Sequence, residues 1–176
     1  NLKKSFIKFI DKTPPIGKSF ICIDDITIKN LISKLSTKNY VTYGLNPKAD
    51  YQIKNIKYKK EKTKFDLIIR NLNGKKKIIK NIILKLNGEY NVKNATAAIS
   101  ICLNLGVTIN VIKKALKNFS GVQRRMTKIF TKNKNLFFDD YAHHPTEIQS
   151  VLDGLRKISN KKKIITIFQP HRFSRV

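Results

Sequence analysis

The amino-acid sequence predicts an α/β fold, in which a parallel sheet carries an antiparallel β segment and is followed by a separate β-α-β unit. Three observations lead to this prediction. Near the N-terminus, strand-length apolar runs alternate with runs of helical apolar spacing, which favours parallel strands. The middle of the chain contains three consecutive strand-like runs. After residue 128 the pattern starts again as strands followed by a helix and another apolar run.

Apolar spacing defines the N-terminal elements. Residues 2–10 (LKKSFIKFI) have helical periodicity, and residues 19–23 (SFICI) form a short apolar run that ends at Asp24 and Asp25. YVTYG, residues 40–44, is the next predicted strand. Between the two strands, the predicted helix places four apolar residues on one face: Ile28, Leu31, Ile32 and Leu35.

Residues 51–86 are rich in strand-forming patterns. YQIKNIKY, KFDLIIR and KKIIKNIILKL are three strand-like runs. NLNGK, residues 71–75, carries an Asn-Gly pair suited to a tight hairpin turn. This region is therefore predicted to form the antiparallel segment.

Two helices are predicted next. The first covers EYNVKNATAAISICLNL, with Gly88 before it and Gly106 as the residue just past its end. Thr108 is predicted to cap the second helix, INVIKKALKNF. Its predicted core face consists of Val111, Ile112, Ala115, Leu116 and Phe119. SGVQRR then links two predicted domains, residues 1–122 and 123–176.

The formal net charge of +26 suggests a polyanion as partner, but the excess is almost all Lys and is spread along the chain. Arg, which contacts phosphate and guanine bidentately, is scarce. A basic nucleic-acid-binding module without catalysis is therefore not favoured, although it stays as an alternative. No run reaches the roughly 18 apolar residues of a membrane span. Cys22 and Cys102 lie in separate apolar runs, which predicts free thiols in a reducing cytoplasm.

Most of the acid–base side chains of the chain follow the apolar run at 136–138. A helix is predicted to begin at Pro145, and IITIF, residues 164–168, is predicted to be a buried strand. Parallel strands deliver their trailing loops to one sheet edge, where ligands of α/β sheets bind. The residues expected there are Asp139, Asp140, Tyr141, His143, His144, Gln169, His171, Arg172 and Arg175. Adjacent histidines point apart, so metal binding by His143 and His144 is not favoured. A solvated strand end is the alternative for the Asp pair.

These motifs carry a resemblance to a known family. DDYAHHPTEI, followed after a helix by FQPHRFSR, resembles the start of the C-terminal domain of the Mur ligases. GEYNVKNATAAISICLNLGV resembles the GxHNxxNxxAA segment of their central domain, and FSGVQRRM resembles their FxGxxRR junction. The resemblance covers essentially the whole chain. It implies the last part of an ATP-binding central domain, then the first β-α-β unit of a Rossmann-like domain.

The resemblance also implies an activity. It is the ATP-dependent ligation of L-alanine to UDP-N-acetylmuramate, through an acyl phosphate, in peptidoglycan synthesis. A related ligase that attaches a recycled tripeptide to the same sugar is the close alternative. ATP and Mg²⁺ are the implied cofactors, and neither a specific nucleic acid nor a membrane span is implied. The sequence contains no GxxGK[ST] loop. We therefore expect an inactive fragment whose Mg²⁺ ligands lie upstream.

Roles for single residues follow from the same resemblance. Asn91 and Asn94 match asparagines that bind adenine, with helix capping as the alternative. Arg125, beside the less certain Arg124, matches a residue that contacts ATP phosphate, and Asp140 matches an acid that meets the nucleotide. The implied substrate-binding residues are Tyr141, His143, Arg172 and Arg175, and the implied catalytic ones are Asp140, His143 and Arg125. The chain departs from the family at Tyr90 (usually His), Ala142 (commonly Gly) and Met126 (usually aromatic).

Overall fold

The computed structural model describes residues 2–59, 62–70, 75–159 and 161–169. The first elements in chain order are α1 (Leu2–Asp11), β1 (Ser19–Cys22), α2 (Ile26–Ile32), β2 (Tyr40–Gly44), β3 (Tyr51–Lys59), β4 (Lys62–Arg70) and β5 (Lys76–Leu84). They are followed by α3 (Glu89–Asn104), α4 (Ile109–Asn118), β6 (Thr127–Lys132), β7 (Asn135–Asp139) and α5 (Pro145–Ile158).

Five strands form one sheet in the order β1-β2-β3-β4-β5. β1 pairs with β2 in parallel, and β2 pairs with β3 in parallel. The pairs β3/β4 and β4/β5 are antiparallel. This arrangement confirms the predicted α/β fold with an antiparallel segment, because the strand–helix–strand start of the chain requires a crossover and the later runs do not. The predicted Asn-Gly turn at residues 71–74 lies outside the described residues.

The main core lies between the antiparallel strands and α3. Its buried members are Ile53, Phe65, Leu67, Ile79, Ile82, Leu84, Val92, Ala95, Ile99 and Ile112. A smaller cluster lies under α1 and α2 and includes Ile10, Ile21, Ile23, Leu35 and Ala49. Each fully buried large apolar side chain contributes about 1.5–3 kcal/mol relative to exposure, so the main core anchors α3 firmly on the sheet.

Asp66 joins two irregularities of the sheet. The register shifts between Lys54 and Lys57 on β3 and also between β4 and β5. Asn55 and Asn81 have φ angles of 53° and 62° at these positions. The Asp66 carboxylate accepts hydrogen bonds from Asn55 Nδ2 and from Asn81 N, both at 2.8 Å. One side chain therefore holds two bulges in place.

The two helices after the sheet begin and end near the predicted residues. α3 ends with hydrogen bonds from Gly106 N to Leu103 O (3.1 Å) and from Val107 N to Cys102 O (2.9 Å), which confirms Gly106 as the residue past the helix. The predicted cap of α4 is wrong in one respect, because the Thr108 side chain makes no capping hydrogen bond.

The predicted core face of α4 is too wide. Ile112 is buried, whereas Val111 is 58% exposed and Phe119 is 43% exposed. α4 packs mainly on β5, at the edge of the sheet, and touches α3 on one side. A helix at a sheet edge has less apolar surface to cover, so its buried stripe is narrower than its apolar stripe.

The C-terminal third forms a two-stranded antiparallel ribbon, β6/β7, followed by α5. The predicted strand at 164–168 is wrong for this structure, since those residues are in no strand and Ile165 and Ile167 are 76% and 95% exposed. A strand needs a hydrogen-bonded neighbour, and in the described part of the chain β7 pairs with β6 alone. The first strand and the helix of the predicted β-α-β unit are present. Among the described residues, no helix has the length and apolar character needed to cross a membrane.

Candidate functional site

Asp140, directly after β7, is the centre of a polar cluster. Its Oδ2 accepts a hydrogen bond from Met126 N at 2.6 Å, and its Oδ1 accepts one from Ala142 N at 2.7 Å. Each oxygen of the carboxylate thus accepts one backbone hydrogen bond. The two bonds also tie the segment before β6 to the loop after β7, so the carboxylate is held in one orientation.

The two adjacent arginines before β6 have different surroundings. Arg124 has a φ of 57°, and its carbonyl oxygen accepts a hydrogen bond from Tyr141 N at 2.8 Å. Its guanidinium lies 3.4 Å from Asp139 Oδ2 and 5.1 Å from the Tyr141 ring centroid. Arg125 is exposed and has no ion pair among the described residues. Arg125 is therefore the arginine with a guanidinium available to an anionic ligand.

The start of α5 is held by Glu147. Its Oε2 accepts hydrogen bonds from His143 N at 3.2 Å and His144 N at 3.4 Å, while His144 Nδ1 accepts one from Thr146 N at 3.3 Å. The bond from His143 N is the main cause of the lowered pKa of Glu147. This reciprocal pattern is a capping box with His as the cap. The His-Pro-Thr-Glu spacing could have revealed Glu147 from sequence.

His143 lies beside the cluster and contacts Tyr141 and Glu147. Its Nδ1 is 3.2 Å from Tyr141 O and 3.6 Å from Glu147 Oε2, and its ring meets the Tyr141 ring edge-on with centroids 5.5 Å apart. The described residues contain no group of three or more His, Cys, Asp or Glu side chains that could hold a metal ion.

The first turn of α3 also lies close to the polar cluster around Asp140. A methyl group added at Gly154 of α5 would lie 3.5 Å from Gly88 Cα and 3.9 Å from Met126 Sδ. The α5 helix therefore approaches both the start of α3 and the segment that binds Asp140. Sequence reasoning did not identify this contact between distant parts of the chain.

The two asparagines of α3 differ in exposure. Asn91 is buried, and its Nδ2 donates to Asn87 O at 2.7 Å, whereas Asn94 is exposed. This hydrogen bond does not support the capping alternative for Asn91, because the cap of α3 is Gly88 and an N-cap side chain accepts from a backbone N–H instead of donating to a carbonyl. Adenine binding by either residue stays a prediction.

A chain of ion pairs links the end of β1 to α3 and α5. Lys93 Nζ lies 3.0 Å from both Asp24 Oδ2 and Glu89 Oε1, and Lys157 Nζ lies 3.9 Å from Glu89 Oε2. The i,i+4 spacing of Glu89 and Lys93 could have predicted that pair from sequence. The link to Asp24 depends on the fold.

The structure thus gathers several predicted site residues at one junction: Asp139, Asp140, Tyr141, His143, Arg124 and Arg125. Gln169 is described and exposed. His171, Arg172 and Arg175 lie outside the described residues, so their predicted place beside Asp140 stays a prediction.

Comparisons with known proteins agree with this architecture. Residues 1–102 match the Mur ligase middle domain, and residues 124–174 match the Mur ligase glutamate ligase domain. The UDP-N-acetylmuramate–L-alanine ligase of Pelagibacter ubique is 55% identical over 177 aligned residues, which cover 100% of this chain and 38% of that protein. The ligase of the same name from Bartonella quintana is 40% identical over 99% of this chain and 37% of its own length.

Solved structures give the same result. The UDP-N-acetylmuramate–alanine ligase of Thermotoga maritima is 28% identical, with a TM-score of 0.73 over 96% of this chain and 36% of that chain. A murein peptide ligase of Psychrobacter arcticus is 27% identical, with a TM-score of 0.62 over 89% of this chain and 32% of its own. The chain thus spans about a third of the length of these relatives, and it belongs to the Mur ligase family.

Proposed function

We propose that the protein containing this chain joins L-alanine to UDP-N-acetylmuramate at the expense of ATP, as a step of peptidoglycan precursor synthesis. The observation that carries the proposal is the similarity over the full chain to ligases of that name, at up to 55% identity. We also propose the cytoplasm as its location, which two free thiols support, and a domain boundary after residue 122.

The side chains at the junction fit a phosphate-bearing partner. The Arg125 guanidinium is exposed and has no ion pair among the described residues, and a guanidinium matches phosphate oxygens bidentately. When bound, ATP supplies the phosphoryl group that activates the substrate carboxylate. In this proposal Arg125 binds the phosphate charge, and stabilising charge that develops during transfer is where such a residue contributes most.

The fixed Asp140 carboxylate would serve as a hydrogen-bond acceptor for the nucleotide. Two backbone N–H groups hold it in one orientation, so no reorganisation is needed when a ligand hydroxyl arrives. Tyr141 and His143 would face the sugar and the amino acid, together with Arg172 and Arg175. Asn94, which is exposed, is the better placed of the two asparagines for an adenine edge.

Mg²⁺ does not fit the described residues, because they contain no suitable cluster of metal-binding side chains. We assign no step of the reaction to a metal held by this part of the protein.

Phosphate release by the gene product that contains this chain tests the proposal. Release is expected only when ATP, UDP-N-acetylmuramate and L-alanine are all present, with the amide product identified by mass spectrometry. Turnover with a free tripeptide in place of L-alanine would assign the protein to the related peptide ligases. No turnover with either acceptor would contradict both assignments.

Arg125→Ala is the informative variant. Loss of a charge-stabilising donor predicts a fall in kcat/KM of about 10²–10³-fold. Arg156→Ala is the matched control, because Arg156 is also exposed but donates to Lys162 O at 3.2 Å, at the far end of α5. Equal activity of the two variants would remove Arg125 from the site.

A further inference from the structure

A cleft between β5 and α4 concentrates positive charge outside the junction around Asp140. It has a volume of about 340 Å³ and is lined by Asn81, Ile83, Lys113, Lys114 and Lys117. We call it the lysine cleft. None of these lining residues is acidic, and none of the three lysines forms an ion pair among the described residues. A concave surface lined by one sign of charge focuses the electric field and concentrates counter-ions.

The stretch of chain that builds the cleft is almost free of acidic residues. Glu89 is the only acidic residue between Asp66 and Asp139 in the sequence, and it pairs with Lys93 at 3.0 Å. Lysines are spread along the whole chain, but across β5 and α4 their charge is not interspersed with acids. A solvated protein surface ordinarily mixes the two signs, so this segregation favours a surface that binds anions.

Hydrogen bonds fix the floor of the lysine cleft. Lys113 Nζ donates to Lys80 O at 2.6 Å, which ties α4 to β5 and leaves two ammonium N–H groups for a ligand. Lys80 and Asn81 lie at the register shift opposite Asp66, where Asn81 N donates to Asp66 Oδ1 at 2.8 Å and Asn81 has a φ of 62°. The backbone beside the cleft is therefore positioned before any ligand arrives, which lowers the cost of binding.

A second cavity shares Asn81 with the lysine cleft. It has a volume of about 300 Å³, and its other lining residues are Asn55, Lys57, Lys64 and Asp66. Lys57 and Lys64 are register partners on β3 and β4. Like charges directly opposite each other on neighbouring strands are unfavourable, and so are the like charges of Lys113 and Lys117 at i,i+4 on α4. A bound anion would relieve both repulsions.

The residues of the two cavities indicate the class of anion. Lysine binds phosphate as a point charge, and the described lining residues include neither arginine nor an aromatic ring on which a nucleobase could stack. Asp66 offsets one positive charge in the second cavity, so the attraction is strongest in the lysine cleft. We propose that the lysine cleft is a second anion site, which binds a free compound with two or more linked phosphate groups that extends past Asn81 into the second cavity. This inference does not depend on the proposed function.

Calorimetric titration of the full-length gene product with sodium tripolyphosphate provides the first test. The double substitution Lys113→Gln and Lys117→Gln removes two charges and is expected to weaken binding about tenfold or more, because charge-assisted contacts to phosphate are lost. Inorganic phosphate should bind the parent protein more weakly than tripolyphosphate, since it reaches only one cavity. Equal tripolyphosphate affinity in the parent and the double variant would overturn the inference.

Two other variants exclude attraction elsewhere on the protein. Lys4→Gln with Lys8→Gln is the matched control, because these exposed lysines have the same i,i+4 spacing on α1 and line neither cavity. Their loss should change the affinity by less than about twofold, as expected for exposed and screened charges. A loss as large as that of the α4 variant would show attraction to the net charge alone and would reject the site. Loss of binding in Arg125→Ala instead would place the anion at the junction around Asp140.

A thymidine oligonucleotide distinguishes a free phosphate compound from a nucleic-acid strand. A strand held by many phosphate contacts would lose affinity steeply between about 50 and 200 mM salt. If the oligonucleotide binds through Lys113 and Lys117 while tripolyphosphate does not bind, the cleft is part of a nucleic-acid interface and the inference is overturned.

Limited acetylation of lysines, followed by mass spectrometry, locates the anion on the unsubstituted protein. Tripolyphosphate should protect Lys113, Lys114 and Lys117, while Lys4 and Lys8 react as before. Protection confined to other lysines, or no protection at saturating anion, would reject the site even if the double variant failed to fold. The result is independent of ligase turnover, so failure of the proposed function would leave it unchanged.

Discussion

Replacing Asp140 with Ala should destabilise the protein as well as alter its site. The carboxylate accepts hydrogen bonds of 2.6 and 2.7 Å from Met126 N and Ala142 N, and both bonds are partly buried. A hydrogen bond to a charged group contributes about 1.5–3 kcal/mol, and a donor left unpaired adds a desolvation cost. Water reaches part of this loop, so we expect the lower part of the range for each bond, about 3–4 kcal/mol together.

Asp139→Ala is the control, because it removes the same side chain one residue earlier. Asp139 has one ion pair with Arg124, at 3.4 Å, in which the side chains are 41% and 61% exposed. Exposed pairs contribute about 0–1 kcal/mol. The two substitutions change the net charge equally and differ in the backbone hydrogen bonds that they remove.

Urea unfolding followed by far-ultraviolet circular dichroism measures both variants against the parent protein. Asp140→Ala should lose at least 1 kcal/mol more stability than Asp139→Ala. If both lose the same stability, within about 0.5 kcal/mol, the two backbone bonds do not hold the loop and the reasoning is wrong. The result also sets the temperature for assays, since an unfolded Asp140 variant would lose activity without any catalytic cause.

Three further predictions concern the sheet. Hydrogen bonds and nearby lysines lower the pKa of Asp66 in spite of partial burial. Its carboxylate therefore contributes about 1 kcal/mol of stability after screening, which is present above the ordinary aspartate pKa and is lost as the pH falls through the lowered folded value. Urea unfolding at pH 7 and pH 3 should show a smaller loss of stability at acid pH in Asp66→Asn than in the parent protein, and equal losses would contradict this. Gly44 has a φ of 143°, and an added methyl group would overlap the Asp24 carboxylate. Gly44→Ala should therefore lower the free energy of unfolding by about 2 kcal/mol or more, which is measured as a lower Tm. An unchanged Tm would refute this prediction. Phe65 is fully buried, so Phe65→Ala should lower the free energy of unfolding by about 3–5 kcal/mol, measured in urea. Phe130 is 48% exposed, so Phe130→Ala should lower it by about 1 kcal/mol or less. Similar losses in the two variants would place the core elsewhere.

Most of the secondary structure could be predicted from the sequence. The elements β1 to β5, α3 and α5 lie where apolar periodicity and turn residues place them, because these patterns reflect hydrogen bonding and burial within a few residues of chain. The parallel β1/β2 pair and the antiparallel β3/β4 and β4/β5 pairs agree with the connections, whereas the parallel pairing of β2 with β3 across residues 45–50 could not be predicted from them. The resemblance to the Mur ligases was likewise contained in short motifs whose residues are adjacent in sequence.

The strand expected at 164–168 shows where such reasoning fails. Its alternation of apolar residues is suited to a sheet, but a strand exists only with a neighbour, and the described residues provide none. The predicted core face of α4 was too wide for a related reason, since the amount of buried surface depends on what the helix packs against. Neither property is local.

The sequence by itself determined the order and type of most elements, the family, and the set of polar side chains near residue 140. Tertiary structure decided how those side chains are used: Arg124 pairs with Asp139, Arg125 has no ion pair within the described part of the chain, and Asp140 binds two backbone N–H groups. The physical reason is distance along the chain. Periodicity records the contacts of neighbouring residues, whereas the junction of α3, α5 and the segment before β6 joins groups that only the complete fold brings together.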